Sequence, residues 1–218
     1  MDNKIIRLTG ADRVRKRPAV IFGSADSAGS LEVVKTLLAV LMREAFLGYS
    51  KKMTVTLHSD ESITVHSYDR GLKIDDGIVD GKPAWQNLFC ELPYFSRDYH
   101  EKAPTETPDL LFGEGELISG CSPDIECAFD ICCVQYVSEY MTVSSVRDGI
   151  RKTVRFEKGN AIPDVEHSPA AENTGTVIDF KIDSEIFGEY KISVSELSAF
   201  LKEQESLVHR FECEILYE

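Results

Sequence analysis

No stretch of the 218-residue sequence approaches the roughly 20 consecutive apolar residues that a membrane-spanning helix requires. Met1-Asp2-Asn3-Lys4 leads into no signal-peptide hydrophobic segment, so a cytoplasmic location is the expectation. The six cysteines, Cys90, Cys121, Cys127, Cys132, Cys133 and Cys213, include no C-x-x-C pair and have no histidine in ligand register. No metal site is therefore expected. Cys127, Cys132 and Cys133 fall in the apolar run 125–137 and read as buried reduced thiols that behave as small hydrophobes. Internal repeats and low-complexity segments are lacking too.

Positive charge is scarce: 24 Lys and Arg stand against 37 Asp and Glu, a net charge of −13. Lys4, Arg7, Arg13, Arg15, Lys16 and Arg17 gather in one short segment, which leaves the remainder strongly acidic. Such a surface repels a phosphate backbone, and no direct DNA binding by this chain is expected. The basic cluster is expected to be solvated or paired with acidic neighbours.

What is present is a soluble globular composition, 43% hydrophobic and 28% charged. The organising stretch runs from Ser30 to Gly71. Ser30 is an N-cap residue type, and Leu31, Val34, Leu38, Leu41, Met42 and Ala45 recur on one helical face before Gly48. Residues 53–58 and 62–67 alternate at period two around Ser59 and Asp60, predicting a hairpin that runs into Tyr68-Asp69-Arg70-Gly71. Upstream, residues 8–23 read as a short helix ending at Arg17-Pro18, then an extended apolar piece. Downstream, 83–92 reads as helix and 96–108 as a loop. A hairpin over 140–157 turns at Asp148-Gly149, and 160–173 reads as a polar loop. Ser193 and Glu196 form a capping box for a further helix, and 211–217 closes as a strand.

Asp12, Val14-Arg15-Lys16-Arg17-Pro18, Gly23, Glu44-Ala45-Phe46-Leu47-Gly48, Val55-Thr56-Leu57-His58, Arg70-Gly71 and Thr174-Gly175-Thr176 carry a resemblance. They resemble the GHKL-type ATPase domain of bacterial DNA gyrase B and topoisomerase IV subunits. The resemblance spans nearly the whole chain and implies one domain over 1–218, with an N-terminal arm at 1–25 and a variable loop at 96–123. It implies an α/β (α+β) two-layer sandwich, a mixed, largely antiparallel sheet with helices on one face. In the family ATP and Mg²⁺ are the cofactors. A helix Glu acts as general base, an Asn one turn later ligates the metal, and a strand Asp reads the adenine amino group.

Carried over by position, those groups change type. The base position falls on Thr36, the metal-ligand position on Val40 and the adenine position on Ser67, with Tyr68-Asp69 where the family has Asp-Gly. Threonine cannot deprotonate water at neutral pH, and valine offers no lone pair to a hard cation. The segment aligned with the phosphate-binding loop, 124–130, holds no glycine and three acidic residues, while Gly113, Gly115 and Gly120 offer an alternative turn. Glu44 and Arg70 remain as the pair that braces helix against hairpin. Gly71 and Thr176 remain of the nucleotide pocket, Thr176 being equally readable as a plain strand start. The resemblance thus implies an inactive ATPase-type domain that binds no cofactor and contacts another copy of itself or a gyrase-like subunit. The alternative is a functional ATP-binding domain of a divergent type II topoisomerase.

Overall fold

The computed structural model describes residues 10–75, 78–79, 81–90, 131–171, 173–208 and 210–218. The segments 96–108, 96–123 and 124–130, with Gly113, Gly115 and Gly120, lie outside the described residues.

Two short helices come first, α1 (Gly10–Lys16) and α2 (Pro18–Phe22). The second replaces the extended piece read from the sequence. Pro18 does end α1, but at the first position of a new helix its fixed φ and missing N–H cost nothing. Val14 and Phe22 are buried, so this segment packs on the core. Of the basic cluster, Arg13, Lys16 and Arg17 are exposed, while Arg15 pairs with the buried Asp183 at 2.5 Å and donates to the Tyr136 carbonyl.

The long helix α3 (Ser27–Phe46) starts earlier than Ser30. Asp26 is the N-cap: its Oδ1 accepts from the Ala28 and Gly29 N–H groups and from the Ser24 hydroxyl. Ser30 lies inside the first turn, buried, with its hydroxyl donated back to the Asp26 carbonyl. The apolar face is as the periodicity requires, with Leu31, Val34, Leu38, Leu41, Met42 and Ala45 all buried. Gly48 follows with φ +80°.

The hairpin β1 (Lys52–Leu57) and β2 (Ile63–Ser67) comes next, then the two-residue strands β3 (Ile78–Val79) and β4 (Lys82–Pro83). Helices α4 (Ala84–Cys90) and α5 (Ile131–Tyr136) precede a meander of β5 (Ser138–Arg147), β6 (Ile150–Glu157) and β7 (Asn160–Pro169). Then come β8 (Gly175–Ile182), α6 (Ser184–Phe187), α7 (Val194–Leu207) and β9 (Glu212–Tyr217). Ser193 caps α7 by accepting from the Glu196 N–H.

Seven strands form one sheet in the order β7-β6-β5-β8-β2-β1-β9, antiparallel except where β9 runs parallel to β1. The fold is therefore a mixed, largely antiparallel sheet with helices. Its buried face carries Met53, Val55, Ile63, Val65, Met141, Val143, Phe156, Ile178, Phe180 and Ile182 in one cluster with the apolar side of α3. β7 corrects the polar loop read over 160–173. As an outer strand it leaves most of its side chains exposed, so it shows no period-two hydrophobic pattern. Its signature is the preceding turn, Lys158-Gly159, with both residues at positive φ.

Cys132 and Cys133 are buried, Cys90 and Cys213 half-buried, and none of the four is in a disulfide. No cluster of metal-binding side chains occurs among the described residues. Nor is any described helix long and apolar enough to cross a membrane.

Candidate functional site

α3 presents the first set of candidate residues at four-residue spacing. Thr36 is half-exposed, and its hydroxyl is donated at 2.7 Å to the Glu32 carbonyl one turn back. Its proton is committed to its own helix. Val40 is fully buried in the apolar core. Glu44 is fully buried as well, and it is met by Arg70. The guanidinium donates through Nε to Oε2 at 2.7 Å and through Nη2 to Oε1 at 2.6 Å, a two-point contact. Tyr49 stacks under the same guanidinium, 3.6 Å from ring centroid to Cζ. The pair fastens the end of α3 to the chain leaving β2.

The sheet supplies the second set. Ser67, the last residue of β2, is the register partner of Thr176 on β8, and Thr176 pairs in turn with Ser145 on β5. Three buried hydroxyls thus lie in a row across three neighbouring strands, with exposures of 0%, 0% and 1%. The segment after β2 is tied to this row. The Leu72 N–H donates to the Thr176 hydroxyl, and the Ser145 hydroxyl donates to the Leu72 carbonyl. Arg147, at the end of β5, donates to the Gly71 carbonyl at 3.1 Å. Gly71 has φ +76°, and a Cβ there would stand 2.5 Å from the Val146 carbonyl oxygen, so only glycine fits.

Asp69 completes the cluster. Its Oδ1 accepts from the Gly71 N–H at 2.8 Å and from the Thr176 hydroxyl at 3.0 Å. Burial pushes this carboxyl up to about 6. The Gly71 N–H and the neighbouring Ser67 and Thr176 hydroxyls offset part of that rise. The Ser67 hydroxyl nevertheless forms no well-directed hydrogen bond, and Asp69 Oδ2 is likewise buried and unpartnered.

The structure therefore groups Ser67, Asp69, Gly71 and Thr176 through sheet register and direct bonds, and links Arg70 to Glu44. Thr36 and Val40 stay on α3 and share none of these side-chain hydrogen bonds. A cleft of about 590 Å³ lined by Leu57, His58, Ile63, Tyr190, Ile192 and Tyr217 lies at the opposite end of the β1–β2 hairpin from Ser67. Asp69, Ser145 and Arg147 are the members that position counting passes over.

DNA gyrase B of Thermus thermophilus is 29% identical over 204 residues, 92% of this chain and 29% of the relative. The B-type subunit of DNA topoisomerase 4 from Escherichia coli is 27% identical over 197 residues, 89% of this chain and 28% of the relative. The crystal structure of the 43K ATPase domain of Thermus thermophilus gyrase B, in complex with an aminocoumarin, matches with a TM-score of 0.74 at 25% identity. That match covers 96% of this chain and 49% of the solved one. The chain is homologous to the gyrase B ATPase domain. No family model matches it. The chain spans less than a third of either curated relative.

Val40 is aliphatic and buried, and the Thr36 hydroxyl is satisfied within the helix. Val40 offers a Mg²⁺ ion no ligand, and the Thr36 hydroxyl offers water no general base.

Proposed function

We propose that this chain is a cytoplasmic, gyrase B-like ATPase-type domain that has lost its ATP-hydrolysing residues and serves as a non-catalytic binding or subunit-interaction module. The observation that carries the reading is the state of α3. Hydrolysis requires a group that takes a proton from water, and the Thr36 side chain is a hydroxyl already donated to a backbone carbonyl. It also requires charge neutralisation on the phosphoryl group, and the residue one turn on is Val40. The frame around these positions is kept: Glu44 and Arg70 hold helix to hairpin, and Gly71 and Thr176 keep the strand ends in register. A scaffold preserved beside altered chemistry suits recognition and not turnover.

In this reading the partner is a second copy of the chain or a gyrase-like subunit. Duplex DNA is not a direct partner, since the exposed basic residues Arg13, Lys16 and Arg17 sit on a chain of net charge −13. Calorimetric titration with ATP, with and without Mg²⁺, tests the proposal. The expected result is weak or absent ATP binding that Mg²⁺ does not improve. A Mg²⁺-dependent gain of tenfold or more in ATP affinity would contradict it.

A further inference from the structure

The cleft at the far end of the β1–β2 hairpin lies roughly 13 Å from Ser67, the run of β2 from Ile63 onward. Its volume of about 590 Å³ is that of a small-molecule site. The walls are apolar: Leu57, Ile63, Tyr190, Ile192, Val194 and Tyr217. The Tyr190 hydroxyl donates to the Ile182 carbonyl at 3.2 Å, so this wall offers a ligand a ring and not a free donor. Tyr217 is 63% exposed, and a ligand seated beside it would cover aromatic surface now open to water.

The rim is polar and negative. His58, Ser59, Ser62 and Glu218 are shared with an adjoining cleft that also holds Asp60, Thr64, Tyr140 and Asp179. Together the two clefts carry the carboxylates of Asp60, Glu61, Asp179 and Glu218 against Lys191, with Lys181 near Asp60. The Ser62 hydroxyl and N–H donate to Asp60 at 2.6 and 3.0 Å and hold its carboxyl below the ordinary range. His58 adds direction. Thr64 gives its one hydroxyl proton to Asp179 at 3.1 Å, so it can only accept from His58 Nε2 at 2.8 Å. This chain of bonds assigns the proton of the neutral ring to Nε2 and leaves Nδ1 an acceptor. Nδ1 faces the Glu218 carboxylate at 3.6 Å. Two acceptors opposed at the rim of an apolar cleft are complementary to a donor that carries positive charge.

We propose that this cleft binds a small hydrophobic amine. The apolar body packs against Leu57, Ile63, Tyr190 and Ile192, and the ammonium head donates to His58 Nδ1 and Glu218. The site is separate from α3 and from the Ser67–Asp69 cluster, so it goes beyond the non-hydrolysing reading and requires neither nucleotide nor metal. An anionic head is repelled by the surrounding carboxylates. A hydroxyl head can donate to only one of the two acceptors and brings no charge.

The test is calorimetric titration of the unmodified chain at about pH 8, above the ordinary imidazole range, without nucleotide or divalent metal. Phenylbutylamine, phenylbutanol and phenylbutyrate serve as probes that share one apolar body and differ in head charge. The amine is expected to bind at least about fivefold more tightly than the alcohol, the ratio a partly exposed ion pair supplies, and the carboxylate most weakly. Glu218→Gln, at an exposed side chain, is expected to narrow that ratio, whereas Tyr217→Ala weakens all three probes together. Amide NMR shifts on adding the amine are expected at Leu57, Ile63 and Ile192 and not at Gly71 or Thr176. Equal binding of amine and alcohol, binding of none of the probes, or amine-induced shifts at Gly71 and Thr176 instead overturns the inference. None of these outcomes bears on ATP turnover, so the non-hydrolysing reading stands or falls separately.

Discussion

Arg70→Ala is the substitution that most sharply separates a structural ion pair from a surface contact. Glu44 is fully buried, and its main charge partner is the Arg70 guanidinium at 2.6 and 2.7 Å. Truncating the arginine strands a carboxylate in the core. Breaking a buried pair in this direction costs about 3–5 kcal/mol. The loss of stacking on Tyr49 is included in that figure. Glu44→Gln is the opposite case. It leaves the cation on Arg70, whose side chain is 23% exposed and can turn to water, so a cost of roughly 1–2 kcal/mol is expected. The double variant Glu44→Gln, Arg70→Ala is expected to lose less than the two singles combined, since a neutral amide is then the buried group. Urea unfolding followed by the fluorescence of Trp85, the single and buried tryptophan, measures all four corners. Arg70→Ala within about 1 kcal/mol of wild type, or Glu44→Gln costing more than Arg70→Ala, would show that the buried Glu44 charge does not depend on Arg70.

Two further outcomes follow from the same cluster. Asp69 titrates at about 6 in the folded chain against an ordinary value of 3.8, so the folded state holds that proton more tightly. Its contribution to stability therefore falls as pH rises from about 4 through 6, by about 3 kcal/mol in total, and is flat above. Asp69→Asn removes this segment of the pH profile, and parallel wild-type and variant profiles between pH 4 and 8 would show the carboxyl to be unperturbed. Gly71→Ala is expected to cost at least about 2 kcal/mol, from left-handed backbone and from the 2.5 Å approach to the Val146 carbonyl. A thermal midpoint unchanged from wild type would contradict it.

Legibility in the sequence follows the physics of each element. The α3 face and the β1–β2 hairpin are readable because each is half-buried and carries its period. The start of α3 is ambiguous because Ser30 and Asp26 are both capping types, and only the structure shows the first-turn N–H groups of Ala28 and Gly29 donating to Asp26. β7 carries almost no buried side chains, so no hydrophobic period marks it. α2 is hidden by Pro18, which reads as a stop when a second helix is not anticipated. Within the site, Thr36, Val40, Ser67, Gly71 and Thr176 can be picked out by counting along the chain. Asp69 cannot be given a role that way. Its significance depends on Ser67, Thr176 and Ser145 meeting across three strands that are not neighbours in the chain, which is tertiary register.

Steady-state ATP turnover of the unmodified chain in the presence of Mg²⁺ decides whether this ATPase-type fold hydrolyses ATP. No turnover above a buffer blank is expected, because Thr36 offers no base and Val40 no metal ligand. Magnesium-dependent turnover that is abolished by mutating Ser67 or Asp69 would contradict it.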